Sequence, residues 1–164
     1  MPRVNQPAAE LPPSMLESLD NLASVLKAKG DLAGAEPLLR RALATRERTL
    51  GLEHPHTLAS LNNLAILLKA KGGQAGAEPQ YRRALDARER TLGLEHPDTL
   101  SSLTYLADLL KDNGDLAGAE PLAERAARGF LAKLGAEHPL TKVAQRLLAA
   151  IRSGLKASRQ KAPE

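Results

Sequence analysis

Residues 54–95 read HPHTLASLNNLAILLKAKGGQAGAEPQYRRALDARERTLGLE, and this stretch decides the fold because the chain repeats it. Residues 12–53 carry the same unit, with 29 of 42 positions identical. The unit returns with more divergence at 96–137, and residues 138–151 begin a fourth unit that stops halfway. Self-similarity at a fixed period of this length is the signature of a repeat architecture.

Each unit divides into two segments with helical patterning. In the second unit, Pro55 fits the first position of a helix, where the missing N–H of proline costs nothing. Leucines then recur at helical spacing up to Gly72, which sits where a helix C-cap needs a left-handed residue. A second segment runs from there to Leu92, which another glycine follows.

One proline falls about six residues into each second segment, at Pro37, Pro79 and Pro121. A proline inside a helix removes one backbone hydrogen bond and can kink the helix. The sequence therefore predicts a distorted first turn, or a second helix that begins nearer Ala35.

The composition predicts an all-α protein. Leucine supplies 32 positions and alanine 28, whereas valine and isoleucine together supply five and aromatic residues 2%. Sheets are usually built from β-branched and aromatic side chains, and helices from leucine and alanine. The chain has no cysteine, which excludes a disulfide framework and a thiolate zinc site. We find no apolar signal region and no run long enough for a membrane span, and so expect a cytoplasmic protein without a membrane partner.

Small and large residues alternate at fixed phase on the paired segments, as at Ala23, Ala35 and Ala42 with their flanking leucines. With Leu-Asn-Asn-Leu-Ala at 61–65 and Ala-Glu-Pro once in each unit, this arrangement resembles the tetratricopeptide repeat. The common form of that repeat has 34 residues. The 42-residue unit, with its Arg-Glu-Arg-Thr-Leu-Gly-Leu-Glu-His-Pro segment, resembles the variant in kinesin light chains.

The resemblance covers residues 12–151 and implies an α-solenoid of three tetratricopeptide-like helix pairs plus a C-terminal capping helix. We find no heptad segment before Pro12, and we therefore expect the resemblance to extend to the repeat module and not to a role as a motor subunit. In the fourth unit Gln145 and Arg152 replace leucines, as expected of a terminal helix with a polar outer face. The predicted organisation is a disordered segment at 1–11, repeats at 12–53, 54–95 and 96–137, a capping helix at 138–152, and a basic flexible tail at 153–164.

The histidines and the motif search give no catalytic centre. His54, His56, His96 and His138 all lie in or beside the His-Pro junctions, where a loop residue closing the link between units is the interpretation that their period favours. The alternative is metal binding or acid–base chemistry. No catalytic motif stands out, so we expect a protein that is not an enzyme and needs no cofactor or metal.

The charge pattern raises, and then weakens, a nucleic-acid hypothesis. Arginines cluster on the second segments, and the net charge is +4. Glutamates interleave these arginines at i,i+4 spacing, which is typical of a solvated helix face. Residues 138–164 alone carry six positive and one negative charge, so the array itself is close to neutral. The sequence therefore favours no nucleic-acid partner.

The resemblance implies that the first helices line a concave groove for a protein or peptide partner. The predicted groove residues are Asp20, Asn21 and Lys27 in the first unit, Asn62, Asn63 and Lys69 in the second, and Thr104, Tyr105, Asp108 and Lys111 in the third. Asparagine can bond the backbone of a peptide of any sequence, because its amide both donates and accepts. Lys27, Lys69 and Lys111 would form a ladder of positive charge that favours acidic peptides, and Tyr105 adds an aromatic surface.

One apolar pair breaks the charged pattern of the second helices. Phe130 and Leu131 stand where the earlier units have Arg-Glu. The pair either packs under the terminal helix or forms a homodimer contact. The second reading gives the alternative function, a structural or self-associating scaffold that forms homo-oligomers through Phe130 and Leu131 or by end-to-end stacking.

Overall fold

The computed structural model describes residues 11–160, which form seven helices and no strand. The helices are α1 (Pro13–Ala28), α2 (Leu32–Leu50), α3 (Pro55–Ala70), α4 (Gln74–Leu92), α5 (Pro97–Asp112), α6 (Leu116–Leu134) and α7 (Pro139–Gln160). The predicted all-α solenoid of three helix pairs and a terminal helix is confirmed. We call α1, α3 and α5 the first helices, and α2, α4 and α6 the second helices. The predicted disorder of residues 1–11 lies outside the described residues except for Leu11.

The junction histidines cap the helices that follow them. His54 Nδ1 accepts a hydrogen bond from the backbone N–H of His56 at 3.2 Å, at the start of α3. His96 and His138 make the same contact one and two units later, also at 3.2 Å. Nδ1 therefore acts as an acceptor for one of the N–H groups that a helix start leaves unpaired. Three of the four histidines thus have a structural role in the junctions.

The second helices begin earlier than one of the two starting points that we predicted. The Asp31 carboxylate accepts from the backbone N–H of Gly34 at 2.8 Å, and α2 begins at Leu32. The helix then continues through Pro37, so the expected start nearer Ala35 is wrong. Proline removes only its own donor, and the capped first turn remains in place.

The core is a single layer of leucine and alanine between successive helices. Ala35, Ala77 and Ala119 are fully buried at the same phase of the three second helices. Leucines of the first helices, such as Leu61 and Leu103, are fully buried beside them. Each second helix therefore packs against the first helix of its own unit and that of the next.

Two arginines that the charge pattern assigned to a solvated face are buried. Arg46 Nη1 lies 2.7 Å from Asp20 Oδ2 and donates to Ser60 Oγ at 2.5 Å. Arg88, one unit later, donates to Ser102 Oγ at 2.6 Å, and burial lowers its pKa from the ordinary value. The solvated interpretation is wrong for these two positions because both arginines lie between units, against the following first helix.

In the third unit, Phe130 holds the position of Arg46 and Arg88. Its side chain is 1% exposed and belongs to the same core as Ala144, Leu147 and Ile151 of α7. The homodimer contact through Phe130 is therefore wrong, since the ring is covered within the chain. Leu131 remains exposed beside it.

The terminal helix is longer than the sequence indicated. α7 runs to Gln160, past residue 152 where we expected a flexible tail to begin. Leu155 packs against the core, which explains the extra turns. Gln145 and Arg152 are exposed, and Arg152 pairs with Glu120 at 2.9 Å, so α7 presents a polar outer face. None of the seven helices is both long and apolar enough to cross a bilayer.

Candidate functional site

The predicted groove residues lie on neighbouring first helices, and several of them meet across units. We call the surface formed by Lys27, Asn63, Lys69, Tyr105 and Lys111 the first-helix face. Lys69 of α3 reaches the carboxylates of α5, and Lys27 of α1 lines a cavity with Asn63 of α3. The face is therefore continuous across the three units.

A small cavity of about 30 Å³ lies where the first and second units meet. Its lining is Ala23, Ser24, Lys27, Leu39 and Asn63. This volume suits small polar groups of the size of one or two water molecules. One unit later, Ile66, Tyr81 and Tyr105 hold the positions of Ser24, Leu39 and Asn63, so bulkier side chains occupy the corresponding place.

Tyr105 is the exposed aromatic of the first-helix face, and a buried ring supports it. Tyr81 of α4 stacks under Tyr105 with centroids 5.9 Å apart and an angle of 16° between the rings. Tyr81 is itself buried, and that burial raises its pKa above the ordinary value. Tyr81 was not among the predicted groove residues, although the exchange of leucine for tyrosine at the position of Leu39 marks it in the sequence.

The predicted ladder of lysines is largely neutralised. Lys69 Nζ contacts Asp108 Oδ2, and lies 2.8 Å from Asp112 Oδ2. Lys111 Nζ lies 2.7 Å from Asp108 Oδ1 and 3.1 Å from Asp112 Oδ1. Two ammonium groups thus share two carboxylates, and the prediction of a positive ladder is wrong at these two positions. Asp112 could not be selected from sequence, because only the packing of α3 on α5 brings it to Lys69.

The pKa shifts in this cluster follow from the hydrogen bonds and opposite charges that the two lysines and the two aspartates share. For Lys69, desolvation acts to lower the pKa, but Asp108 and Asp112 outweigh it and the pKa is raised. The hydrogen bond to Asp108 raises the pKa of Lys111. For Asp112, desolvation acts to raise the pKa, and the two lysines overcome it so that the pKa is lowered. All three groups therefore stay charged over a wide range of pH.

Lys27 differs from the other two lysines. Among residues 11–160 it has no carboxylate within 4 Å, and its side chain is exposed. The reason is in the sequence of the next unit, where Ile66 and Ala70 hold the positions of Asp108 and Asp112. The positive charge of the first-helix face is therefore concentrated at its first unit.

The remaining predicted residues divide between surface and interior. Asn21 is exposed, as expected. Asn62 is only 8% exposed and its Oδ1 is buried, so the prediction that Asn62 lies on the groove surface is wrong. Its position corresponds to Asp20, which turns towards Arg46 of the second helix. Thr104 donates its hydroxyl to the Leu100 carbonyl of its own helix at 3.0 Å.

A larger cavity, about 640 Å³, lies apart from the first-helix face. It is formed by the start of α1, the end of α2 and the start of α3, with Leu16, Leu50 and His54 in its lining. None of the predicted groove residues lines it.

Comparison with known proteins identifies the repeat. The sequence profile of the family described as Tetratricopeptide repeat matches residues 14–90 and 75–132. A protein of Podosopora anserina, described as a kinesin light chain with nearly identical TPR-like repeats, is 30% identical to the chain. Its structure aligns with a TM-score of 0.82 over 91% of this chain and 71% of that one. No curated protein sequence matches the chain.

More distant structures share the fold. The type III secretion translocator chaperone SycD of Yersinia enterocolitica aligns with a TM-score of 0.67 at 19% identity, over 90% of each chain. Another SycD structure holds a peptide of the translocator YopD. The TPR domain of Sgt2 from Aspergillus fumigatus aligns with a TM-score of 0.67 at 16% identity, over 97% of this chain and 91% of that one.

Proposed function

The chain belongs to the tetratricopeptide repeat family, in the variant with the 42-residue unit found in kinesin-light-chain-like proteins, and we propose that it is a non-catalytic protein-interaction module. Tetratricopeptide arrays generally mediate contacts between proteins. In this chain the first-helix face would bind an extended peptide segment of a partner protein in the cytoplasm.

The observation that carries the proposal is the uncompensated ammonium of Lys27 beside the exposed amide of Asn63. Both line the small cavity between the first two units. An ammonium and an amide donate to carbonyl and carboxylate oxygens, which an extended peptide presents along its length. This pair therefore suits a backbone carbonyl together with an acidic side chain.

Tyr105 gives the second contact of the proposed site. It lies one 42-residue period after Asn63, on the next first helix, and its ring is held flat against Tyr81. A fixed, half-exposed ring offers apolar area at low entropic cost. The partner segment would thus place an acidic residue at Lys27 and an apolar or aromatic residue on Tyr105.

The neutral cluster of Lys69, Lys111, Asp108 and Asp112 limits the preference of the first-helix face for acidic partners. Lys69 and Lys111 already have Asp108 and Asp112 as partners, so an acidic peptide gains little from them. The SycD chaperone, which shares the fold, binds a peptide of its translocator. That example supports peptide binding by an array of this size. It does not identify the partner of this chain.

The test uses random-sequence peptides displayed on phage and selected on the full chain. The affinities of selected peptides are then measured by fluorescence polarisation for the chain and its variants. Lys27→Ala with Asn63→Ala, and separately Tyr105→Ala, should each weaken binding by about tenfold, or 1.4 kcal/mol. Arg128→Ala is the control, because Arg128 is exposed on α6 and makes no ion pair among residues 11–160.

Equal affinity for the chain and for both variants would contradict the groove proposal. Raised salt should also weaken the peptides that carry an acidic residue, because the charge of Lys27 is exposed to solvent.

A further inference from the structure

α1 is the one first helix in residues 11–160 that has no second helix packed ahead of it. α3 packs against α2, and α5 against α4. On α1, Leu22 and Val25 are 49% and 50% exposed, whereas their counterparts Leu64 and Leu67 are 1% and 0% exposed. We call the side chains of Met15, Ser18, Leu22 and Val25 the N-terminal face. Three of these four side chains are apolar, and the corresponding positions of α3 and α5 are all buried.

The hydroxyl contacts between units show what the N-terminal face lacks. Ser60 accepts a hydrogen bond from Arg46 of the preceding second helix, and the contact recurs one unit later. Within residues 11–160, the corresponding Ser18 donates its hydroxyl only to the carbonyl of Ser14 in its own helix. Thr57 donates to the Gly51 carbonyl at 2.8 Å, and Met15 stands at its position in α1.

The ion pairs between units indicate which charges a helix bound to this face would carry. Glu36 of α2 pairs with Lys71 at 2.5 Å, and Glu47 of α2 pairs with Arg83 at 2.6 Å. The second pair recurs one unit later between α4 and α6. At the N-terminal end of the array, Lys29 and Arg41 hold the positions of these two cations. Both are exposed, and neither has a carboxylate within 4 Å among residues 11–160.

The apolar stripe and the two cations define one kind of occupant. Within the chain the same surface is covered by α2, whose two glutamates lie eleven positions apart, at Glu36 and Glu47. We propose that the N-terminal face, with Lys29 and Arg41, docks an amphipathic helix of a partner protein that carries two acidic residues at this spacing. The helix lies across α1 as α2 lies across α3.

A second copy of the chain does not supply such a helix. Its second helices are each packed between two first helices, so none is free. Its α7 is exposed but carries Arg146, Lys156 and Arg159 on its surface. Head-to-tail stacking would bring those cations towards Lys29 and Arg41, and like charges repel.

The experiment offers the chain its own second helix in trans. A labelled synthetic peptide of residues 31–52 is titrated with the full chain, and binding is followed by fluorescence anisotropy. We expect saturable binding with a Kd of about 10–100 μM, because the isolated peptide must first become helical. The chain variant Leu22→Asp with Val25→Asp should abolish binding, while Arg128→Glu should leave it unchanged.

A charge reversal tests the ionic part of the proposal. The peptide with Glu36→Lys and Glu47→Lys should bind the chain at least tenfold more weakly. The chain variant Lys29→Glu with Arg41→Glu should then recover binding of the reversed peptide. Because these residues are exposed, the variants should keep the helical circular dichroism of the chain.

Three outcomes would overturn the proposal. Binding that survives Leu22→Asp with Val25→Asp would mean that the peptide displaces α2 instead. A dimer in sedimentation that Leu22→Asp dissociates would mean that a second copy covers the face. Peptide binding that appears only after removal of residues 1–10 would mean that this segment of the chain covers it.

Discussion

Arg88 on α4 donates a hydrogen bond from Nη1 to Ser102 Oγ on α5, inside the contact between the second and third units. One unit later the corresponding residues are Phe130 and Ala144, and both are buried. The same position in the repeat thus takes either a cation with a hydroxyl partner or an aromatic ring with a methyl partner. This exchange is tolerated because each unit contacts only its neighbours.

The buried arginines should differ in what they contribute to stability. Replacing Arg88 and Ser102 by Met and Ala should leave the free energy of unfolding unchanged or raise it by up to about 2 kcal/mol, because Arg88 has no carboxylate within 4 Å in the described part of the chain. Arg46→Met should lower it by about 1–3 kcal/mol, because it leaves the half-buried Asp20 unpaired. Urea denaturation followed by circular dichroism measures both, and equal losses would contradict this account.

Phe130 should be among the most costly residues to truncate. Phe130→Ala empties a fully enclosed site under α7 and should cost about 3–5 kcal/mol. The neighbouring Leu131→Ala should change stability by about 0.5 kcal/mol or less, because Leu131 is exposed. Thermal and urea unfolding of the two variants side by side tests the difference. A similar cost for both would mean that the ring is not in the core.

The second unit lacks a helix cap that the other two have. Gly73 has φ −84° and ψ 56°, close to the φ −80° and ψ 72° of Asp31, so its backbone suits an aspartate, whose Cβ would lie 3.2 Å from the Leu68 carbonyl oxygen. Gly73→Asp should stabilise the chain by about 1 kcal/mol. Gly72→Asp is the matched control and should destabilise it by about 1–2 kcal/mol, because Gly72 has φ +77°. A loss of stability in both variants, measured in urea, would refute the capping argument.

The ion cluster should make part of the stability sensitive to acid. The pKa of Asp112 is lowered in the folded chain, so its charge stabilises the fold above the unfolded pKa near 3.8, and this contribution is lost as the pH falls through the folded pKa. Asp112→Asn should therefore be slightly less stable near neutral pH and lose less stability on acidification. The cost at neutral pH should stay below about 1 kcal/mol, since solvent screens the pair. Asp86→Asn, exposed and without an ion pair in residues 11–160, should keep the acid dependence of the parent chain.

The fold could be predicted in detail because its signals are local. The prolines that open the first helices and the glycines that follow the helix ends act within a few residues of where they stand, and the 42-residue period repeats them along the chain. The length of α7 could not be read in the same way. Its last turns depend on Leu155 reaching the core, which requires the position of α6.

The candidate site was predictable in its location and less so in its electrostatics. The exposure of Asn63 and Tyr105 follows from helical phase. The neutralisation of Lys69 depends on Asp108, which lies 39 positions away on another helix. The burial of Arg88 was also hidden, because a charged residue counts as polar in any amphipathic pattern while its stem can lie between helices.

The N-terminal face, which no other helix of residues 11–160 covers, also gives the array a direction in which it unfolds. In a linear array each helix is held by its neighbours alone, so the loss of one helix exposes the next. α7 closes its end of the array by covering Phe130 of α6 and burying its own Ile151, whereas Leu22 of α1 is about half exposed. We therefore expect fraying to start at α1 and to proceed towards α7, and a partner that covers α1 would stabilise the whole array.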